Sequence, residues 1–287
     1  MTAHVAFGMR ISGVSPRALT VARRPDWPHL RVTHRIEPTA AGPAHIDDTS
    51  MRLPLGPRDW IALDRDRQTA TYLTHGDLDH DTLVHPWLAP AAGIMGRWMG
   101  KEAFHAGAFV AGGGAWALAG ANEIGKSSLL AALGVAGTPI LTDDLLVVDN
   151  GLAYAGTRCI DLRELHALDA VSVERVRVVR DGARYRLDLP AVEPAVPLRG
   201  WFFLEWGSEV EAVRISAADR LAKIAMQRRW ATGAPDPRVL LELASLPAWE
   251  LRRPRGWSHL DTLLECLYDL TGGAPEGATR DGRAVPA

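Results

Sequence analysis

One glycine-rich segment, GANEIGKSS at residues 120–128, limits the folds open to this chain more than any other feature. Gly120, Gly125, Lys126 and Ser127 match the pattern G-x-x-x-x-G-K-[ST] at every fixed position. The strand-like stretch AWALA precedes the segment, and the helix-like stretch SSLLAALGVAG follows it. This order predicts a buried strand, a phosphate-binding loop and a helix, and therefore an α/β or mixed α+β chain.

The residue types of this segment suit the binding of a nucleoside triphosphate. Glycines allow consecutive backbone N–H groups to curl around a phosphate, and the helix that follows directs its positive N-terminus toward the same group. Lys126 is predicted to contact the β- and γ-phosphates, and the hydroxyl of Ser127 to bind Mg²⁺. We therefore expect ATP, or another nucleoside triphosphate, and Mg²⁺ as cofactors. The predicted nucleotide contacts are Gly120, Ala121, Asn122, Glu123, Ile124, Gly125, Lys126, Ser127 and Ser128.

Two adjacent carboxylates, Asp143 and Asp144, follow this segment within the strand-like stretch PILTDDLLVVD. Successive strand residues point to opposite faces unless the backbone turns between them. One carboxylate at this place can hold Mg²⁺, and a second can accept the proton of an attacking hydroxyl. The alternative is that the pair caps a turn or binds some of the many arginines. We interpret the pair as a sign of phosphoryl transfer.

The spacing of His105-Ala106-Gly107, the phosphate loop and Asp143-Asp144 resembles the catalytic domain of bacterial HPr kinase/phosphorylase, which phosphorylates a serine of the phosphocarrier HPr. The resemblance covers about residues 103–165, and a coarser likeness to actinobacterial HPr-kinase-related proteins continues to the closing helices. It implies a P-loop kinase core of the HPr kinase/phosphoenolpyruvate carboxykinase type. It also implies that Asp143 is the catalytic base, that Asp144 and Ser127 bind Mg²⁺, and that His105 lies near the transferred phosphate.

The chain departs from that family at specific positions. Ser128 stands where the family carries Glu, Ala106 displaces the glycine next to the histidine, and the downstream signature with glycine and asparagine is not found. These differences predict an acceptor other than HPr. Relatives of this kind phosphorylate a peptide serine in ribosomal-peptide clusters such as those of lasso peptides. We therefore expect a serine of a peptide or protein, including a ribosomal precursor peptide, as the acceptor. A small-molecule kinase and a regulatory ATPase without an acceptor are the alternatives.

Several other residues have both a functional and a structural interpretation. Arg158 is a candidate to bind the γ-phosphate, because a guanidinium can hold two oxygens at once. Arginines are abundant, however, since 32 basic residues include only three lysines. The segment HGDLDHDTLVHP, with His75, His80 and His85, is predicted to be a solvated loop rather than a metal site, because intervals of five match neither a helix face nor a strand face. Trp116, Trp201, Trp206 and Cys159 are expected in the core.

The remaining features concern organisation and partners. We predict a strand-rich region at 1–95 that recruits the substrate, a kinase domain at 96–273 and a disordered tail at 274–287. A formal net charge of −2 gives no electrostatic reason to expect nucleic acid or an anionic membrane as a partner. Two cysteines and the lack of a secretory signal or an uninterrupted apolar span predict a cytoplasmic location. Self-association into a homo-oligomer is left open.

Overall fold

The computed structural model describes residues 2–23, 26–37, 43–168, 170–180, 182–229 and 236–273. Within these residues the chain is a mixed α+β structure with three sheets, which confirms the predicted class. The predicted disordered tail at 274–287 lies outside them. So does Asp181, which the alternating pattern of VERVRVVRDGARYRLDL predicts to form a hairpin turn with Gly182. None of the helices in these ranges is both long enough and apolar enough to cross a membrane.

An eight-stranded sheet forms the N-terminal part of the structure. Its strands are β1 (Thr2–Ala6), β2 (Met9–Ser12), β3 (Thr20–Arg23), β4 (His29–Ile36), β5 (His45–Ile46), β6 (Ser50–Pro54), β7 (Trp60–Asp64) and β8 (Thr69–Thr74), in the spatial order β3-β1-β2-β4-β8-β7-β6-β5. The sequence WIALDRDRQTATYLT predicts two strands around a polar DRDRQ turn, and the segment does turn between β7 and β8, with Asp64 opposite Thr69. Alternate residues of both strands, such as Ile61 and Tyr72, are buried, because one face of the sheet packs on a helix.

That helix belongs to a helical segment between the first and second sheets. The segment comprises α1 (His80–Thr82), a π-helical turn (Leu83–Trp87) and α2 (Leu88–Trp98). Leu88, Ile94 and Met95 of α2 are fully buried in one apolar cluster with Ile61 and Tyr72 of the sheet. The apolar residues of HPWLAPAAGIMGRWMG recur at helical spacing, which predicts a helix and a hinge here, and α2 confirms the helix.

The second sheet is the central one, and it carries the phosphate-loop segment. Its strands are β9 (Glu102–Phe104), β10 (Ala106–Ala111), β11 (Gly114–Ala119), β12 (Ile140–Thr142), β13 (Leu146–Asp149), β14 (Leu152–Tyr154), β18 (Ala195–Trp206), β19 (Glu211–Arg214) and β20 (Ala248–Arg253). Strands β11, β18 and β20 are parallel, so their carboxyl ends lie at one edge. Strand β10 is antiparallel to both β11 and β12, so β10 begins, and β12 ends, at that same edge. The chain segments at 105, 120–128 and 143–144 therefore meet there.

Helices cover both faces of the central sheet. They are α3 (Lys126–Val135), α5 (Ala217–Gln227), α6 (Pro237–Ser245) and α7 (Leu260–Thr271). A small third sheet comprises β15 (Cys159–Leu162), β16 (Val176–Val179) and β17 (Arg184–Asp188), and the short helix α4 (Ala170–Val173) precedes β16. One apolar cluster joins α5 and α6 to Phe104, Trp201 and Phe203 of the sheet. Another joins α3, α7 and the third sheet to Phe109 and Phe202 on the opposite face. The predicted hairpin is confirmed as β16 and β17.

Candidate functional site

The segment at 120–125 forms a loop whose conformation depends on glycine. Gly120 and Gly125 have φ angles of 147° and 90°, and the non-glycine residue Glu123 also has a positive φ of 63°. A Cβ at Gly125 would overlap Nη2 of Arg253. Helix α3 begins at Lys126 with no side chain capping its first N–H groups. The first turn of α3 is therefore free to bind an anion with its backbone N–H groups.

Lys126 is buried at the start of α3. Its Nζ donates hydrogen bonds to the carbonyl oxygens of Gly120 and Ala121, both at 2.9 Å. Burial lowers the pKa of Lys126, and the nearby charges of Asp144 and Asp143 oppose that shift. The ammonium group is thus held across the mouth of the loop, where a phosphate would contact it.

Asp143 lies directly behind the first turn of α3. It is 4% exposed, and its Oδ1 accepts a hydrogen bond of 3.0 Å from the hydroxyl of Ser127. Burial and the adjacent charge of Asp144 raise the pKa of Asp143 to about 7, although the Ser127 hydrogen bond opposes the shift. The hydroxyl of Ser127 therefore donates to Asp143, whereas the predicted metal site pairs Ser127 with Asp144.

The backbone turns between the two aspartates. Asp144 has a φ of 64°, and the N–H of Leu145 donates to the carbonyl of Asp143 at 2.8 Å, so the predicted single strand is divided into β12 and β13. Asp144 is partly exposed, and its Oδ1 lies 3.2 Å from Nδ1 of His105. Burial alone would raise the pKa of Asp144, but the hydrogen bond and charge of His105 outweigh it and lower the pKa. Asp144 is therefore a carboxylate at neutral pH.

His105 connects the start of β10 to this turn. Its backbone N–H donates to the carbonyl of Gln227 at 2.7 Å, which fixes the strand start against the end of α5. Its Nδ1 faces Asp144, while its Nε2 is buried and has no hydrogen-bond partner among the described residues. The ring is therefore oriented by the carboxylate on one side only.

These groups line a cavity of about 620 Å³, a volume typical of small-ligand sites. The lining residues are His105, Asn122, Glu123, Gly125, Lys126, Ser127, Ser128, Asp144, Asp161, Leu162, Arg163, Glu164, Arg184 and Arg229. Most of the predicted nucleotide contacts are among them. Gly120, Ala121 and Ile124 are not, and Ile124 instead packs into the core and is 5% exposed. Asp143 lies behind the cavity wall.

The cavity also contains arginines, and one of them, Arg163, is a second and weaker candidate from the sequence, after Arg158, to bind the γ-phosphate. Arg229 follows α5, and its backbone N–H donates to the carbonyl of Ala103 at 2.8 Å, which places it at the edge of β9. Arg163, at the end of β15, forms an ion pair with Glu123 of the loop. Among so many arginines, no sequence signal distinguishes Arg229 from arginines on the surface.

Arg158 lies away from the cavity. Its guanidinium is 3% exposed and donates to the backbone carbonyls of Ile140, Leu141 and Pro190 at 2.7–3.1 Å. Burial lowers its pKa to about 10. The structure therefore does not bring Arg158 to the predicted phosphate contact, and the side chain instead braces β12, the strand that leads to Asp143.

The histidine-rich segment differs from the predicted solvated loop. His75 pairs with Asp59 at 3.0 Å, but His80 begins α1, and His85 is 9% exposed in the helical turn that follows. Among the described residues, no three or more His, Cys, Asp or Glu side chains form a group able to hold a metal. The core assignments of Trp116, Trp201 and Cys159 are confirmed, whereas Trp206 is only half-buried.

Asp143→Asn is expected to stabilise the protein increasingly as pH rises. In the native protein the stabilising contribution of Asp143 is complete below its ordinary pKa of 3.8 and is lost as pH rises through about 7. The advantage of the Asn variant should therefore grow by roughly 3 kcal/mol between pH 5 and pH 8, because pH 5 lies about two units below the raised pKa and each unit corresponds to about 1.4 kcal/mol. Denaturant unfolding of both proteins at the two pH values measures this. An advantage that is equal at both values would contradict a raised pKa.

Comparison with known proteins finds a distant likeness among solved structures. No family model matches the chain, and no curated protein matches it. Among solved structures, the chain is similar to the HPr(Ser) kinase/phosphatase from Coxiella burnetii, with 14% sequence identity and a TM-score of 0.31. The match covers 60% of this chain and 99% of that chain. So low a TM-score carries no argument about function, and the functional conclusion rests on the geometry of the site.

Proposed function

We propose that the protein is a Mg²⁺-dependent kinase that transfers the γ-phosphoryl group of ATP, or another nucleoside triphosphate, to a hydroxyl group. One observation carries the proposal. At one edge of the central sheet, Lys126 and Ser127 begin helix α3 directly after the glycine loop. Two aspartates lie beside them: Asp143 accepts a hydrogen bond from Ser127, and Asp144 lines the cavity. A protein that only bound nucleotide would need one carboxylate for the metal. The second carboxylate supports a transfer reaction.

The loop and helix α3 account for binding of the donor phosphates. The uncapped N–H groups of the first turn suit the β-phosphate, and Lys126 can exchange a loop carbonyl for phosphate oxygens. Because the lysine is largely removed from water, its charge acts on the phosphates with little screening. These groups hold the triphosphate in place and neutralise charge on the phosphoryl group as it transfers.

The donor atoms behind the loop fit a magnesium ion. Ser127 Oγ and Asp143 Oδ1 are hard oxygen ligands 3.0 Å apart, and Mg²⁺ commonly takes one or two protein oxygens with phosphates and water completing its shell. We therefore assign Ser127 and Asp143 to the metal, with Asp143 losing its proton when the metal binds. When bound, Mg²⁺ neutralises charge on the β- and γ-phosphates.

Asp144 is the better placed general base. A base must reach the proton that it accepts, and of the two aspartates only Asp144 lines the cavity. His105 orients its carboxylate, and the low pKa keeps it ionised at neutral pH. This assignment exchanges the roles that the family resemblance implied for the two aspartates. The reason is the turn at Asp144, because it directs the Asp143 side chain toward Ser127 and the Asp144 side chain toward the cavity.

We propose a serine of a peptide or protein other than HPr as the acceptor. To test this, the protein is incubated with γ-³²P-labelled ATP and Mg²⁺, together with serine-containing peptides, proteins from the same cell, or small hydroxyl compounds. Label on a serine supports the proposal. Label on a small molecule favours the small-molecule kinase, and release of inorganic phosphate alone favours the regulatory ATPase. If no labelled product of any kind forms, the proposed activity is wrong.

A further inference from the structure

A buried arginine lies directly behind the phosphate loop. Arg253 ends β20, the second parallel strand beyond β11, so it reaches the same sheet edge as the loop. The side chain is 2% exposed. Its Nη2 donates a hydrogen bond of 2.7 Å to the carbonyl of Ile124, on the side of the loop away from Asp143 and Asp144. Arg253 therefore contacts the loop backbone next to Gly125, the residue that precedes Lys126.

Two tryptophans enclose the guanidinium of Arg253. Its Cζ lies 4.5 Å from the ring centre of Trp206 and 4.8 Å from that of Trp257, both within the range of cation–π attraction. Gly125 has no side chain to displace it, and a Cβ there would overlap Nη2. The lack of a side chain at Gly125 therefore leaves room for this guanidinium as well as for a phosphate bound by the loop.

The charge of Arg253 has no counter-ion within the described part of the chain. No carboxylate among those residues lies within the 4.0 Å of an ion pair, and its buried Nε has no hydrogen-bond partner there. By contrast, the equally buried Arg186 contacts Asp161 and Asp81 at 2.6 and 2.8 Å. Burial lowers the pKa of Arg253 to about 10, so the group remains charged at neutral pH. A buried unpaired charge is costly unless an opposite charge approaches it.

We propose that Arg253 is a positioning residue whose unpaired charge is compensated by the phosphates of the nucleotide, so that loop shape and phosphate binding are coupled. This inference rests on the proposed nucleotide site and adds to it a cation on the far side of the loop. The electrostatic partner is the polyphosphate chain, and the base and sugar take no part. The Kd values for tripolyphosphate and for ATP should therefore depend on Arg253 to the same extent.

The test compares Arg253→Met, Arg253→Lys and wild type by thermal unfolding without ligand and by titration with Mg·ATP and with tripolyphosphate. We expect Arg253→Met to unfold at the same or a higher temperature than wild type, because an apolar side chain carries no unpaired charge. Its Kd for both ligands should rise about 10-fold or more, roughly the effect of losing 1.4 kcal/mol of phosphate binding. Arg253→Lys keeps a positive charge but lacks the planar guanidinium that lies between the two indole rings, so its Kd values should fall between those of wild type and Arg253→Met.

Arg52→Met is the matched control, since the Arg52 guanidinium also lies over a tryptophan, Trp60, and its Nε and Nη2 have no hydrogen-bond partner among the described residues. Arg52 belongs to β6 of the N-terminal sheet and does not line the cavity, so its Kd values should stay within about twofold of wild type. Arg253→Met with a lowered unfolding temperature and unchanged Kd values would show a purely structural arginine and overturn the inference alone. If wild type binds neither ligand, the inference and the proposed function fail together.

Discussion

Replacing Asp144 by Asn is expected to slow phosphoryl transfer by about 10²–10⁴-fold, the usual contribution of a positioned general base. The amide cannot accept the proton of the attacking hydroxyl, but it keeps the size of the carboxylate. The Kd for Mg·ATP should change by less than about threefold, because Ser127 and Asp143, not Asp144, are assigned to the metal. Transfer of label from γ-³²P-labelled ATP and equilibrium titration measure the two quantities on the same preparation.

Asp64→Asn is a suitable control for that variant, since Asp64 pairs with Arg67 on the surface of the N-terminal sheet. It should transfer phosphate at the wild-type rate. If Asp144→Asn transferred at that rate too, Asp144 would not be the base. If it instead lost Mg²⁺-dependent nucleotide binding, Asp144 would be the metal ligand that the family resemblance implied.

Replacing Lys126 by Ala is expected to raise the Kd for ATP by roughly 10- to 150-fold, the effect of removing one charged hydrogen-bond donor worth about 1.5–3 kcal/mol. Turnover should fall with affinity, since the same ammonium group faces the phosphoryl group during transfer. In wild type, Nζ bridges the carbonyls of Gly120 and Ala121, and the variant also loses these contacts. Circular dichroism of both proteins checks that the fold is retained.

Lys223→Ala provides the matched lysine control. Lys223 lies on α5 and pairs with Glu205 and Glu250 at 3.3 and 3.1 Å, outside the cavity. Its removal should leave the Kd for ATP within about twofold of wild type. Equal losses in both lysine variants would indicate a general effect of positive charge and would contradict a specific phosphate contact by Lys126.

The sequence predicted the elements of the site because each has a strong local pattern. The apolar stretch AWALA, the glycines of the loop and the spacing of SSLLAAL specify β11, the loop and α3 with little help from the rest of the chain. The apolar residues of AADRLAKIAMQRRW, DPRVLLELASL and SHLDTLLECLYDLTGG recur at i, i+3 and i+4, which predicts three helices just as directly. Helices α5, α6 and α7 confirm that prediction.

The structure adds what depends on tertiary contacts. The positive φ of Asp144 is adopted only rarely by residues other than glycine, and no local pattern indicates it, so one strand was predicted where two occur. Arg158 and Arg253 are alike in the sequence, yet one binds strand carbonyls and the other the phosphate loop. Such differences depend on which distant strands end at the same edge of the sheet, and the spacing of motifs in the sequence does not specify that.

A crystal structure of the protein with Mg²⁺ and a non-hydrolysable ATP analogue tests the central claim most directly. We expect the γ-phosphate between Nζ of Lys126 and the pair formed by Asp144 and His105, with the metal on Ser127 and Asp143. Nucleotide bound elsewhere on the chain, or a metal held by Asp144 with Asp143 left free, would contradict the account.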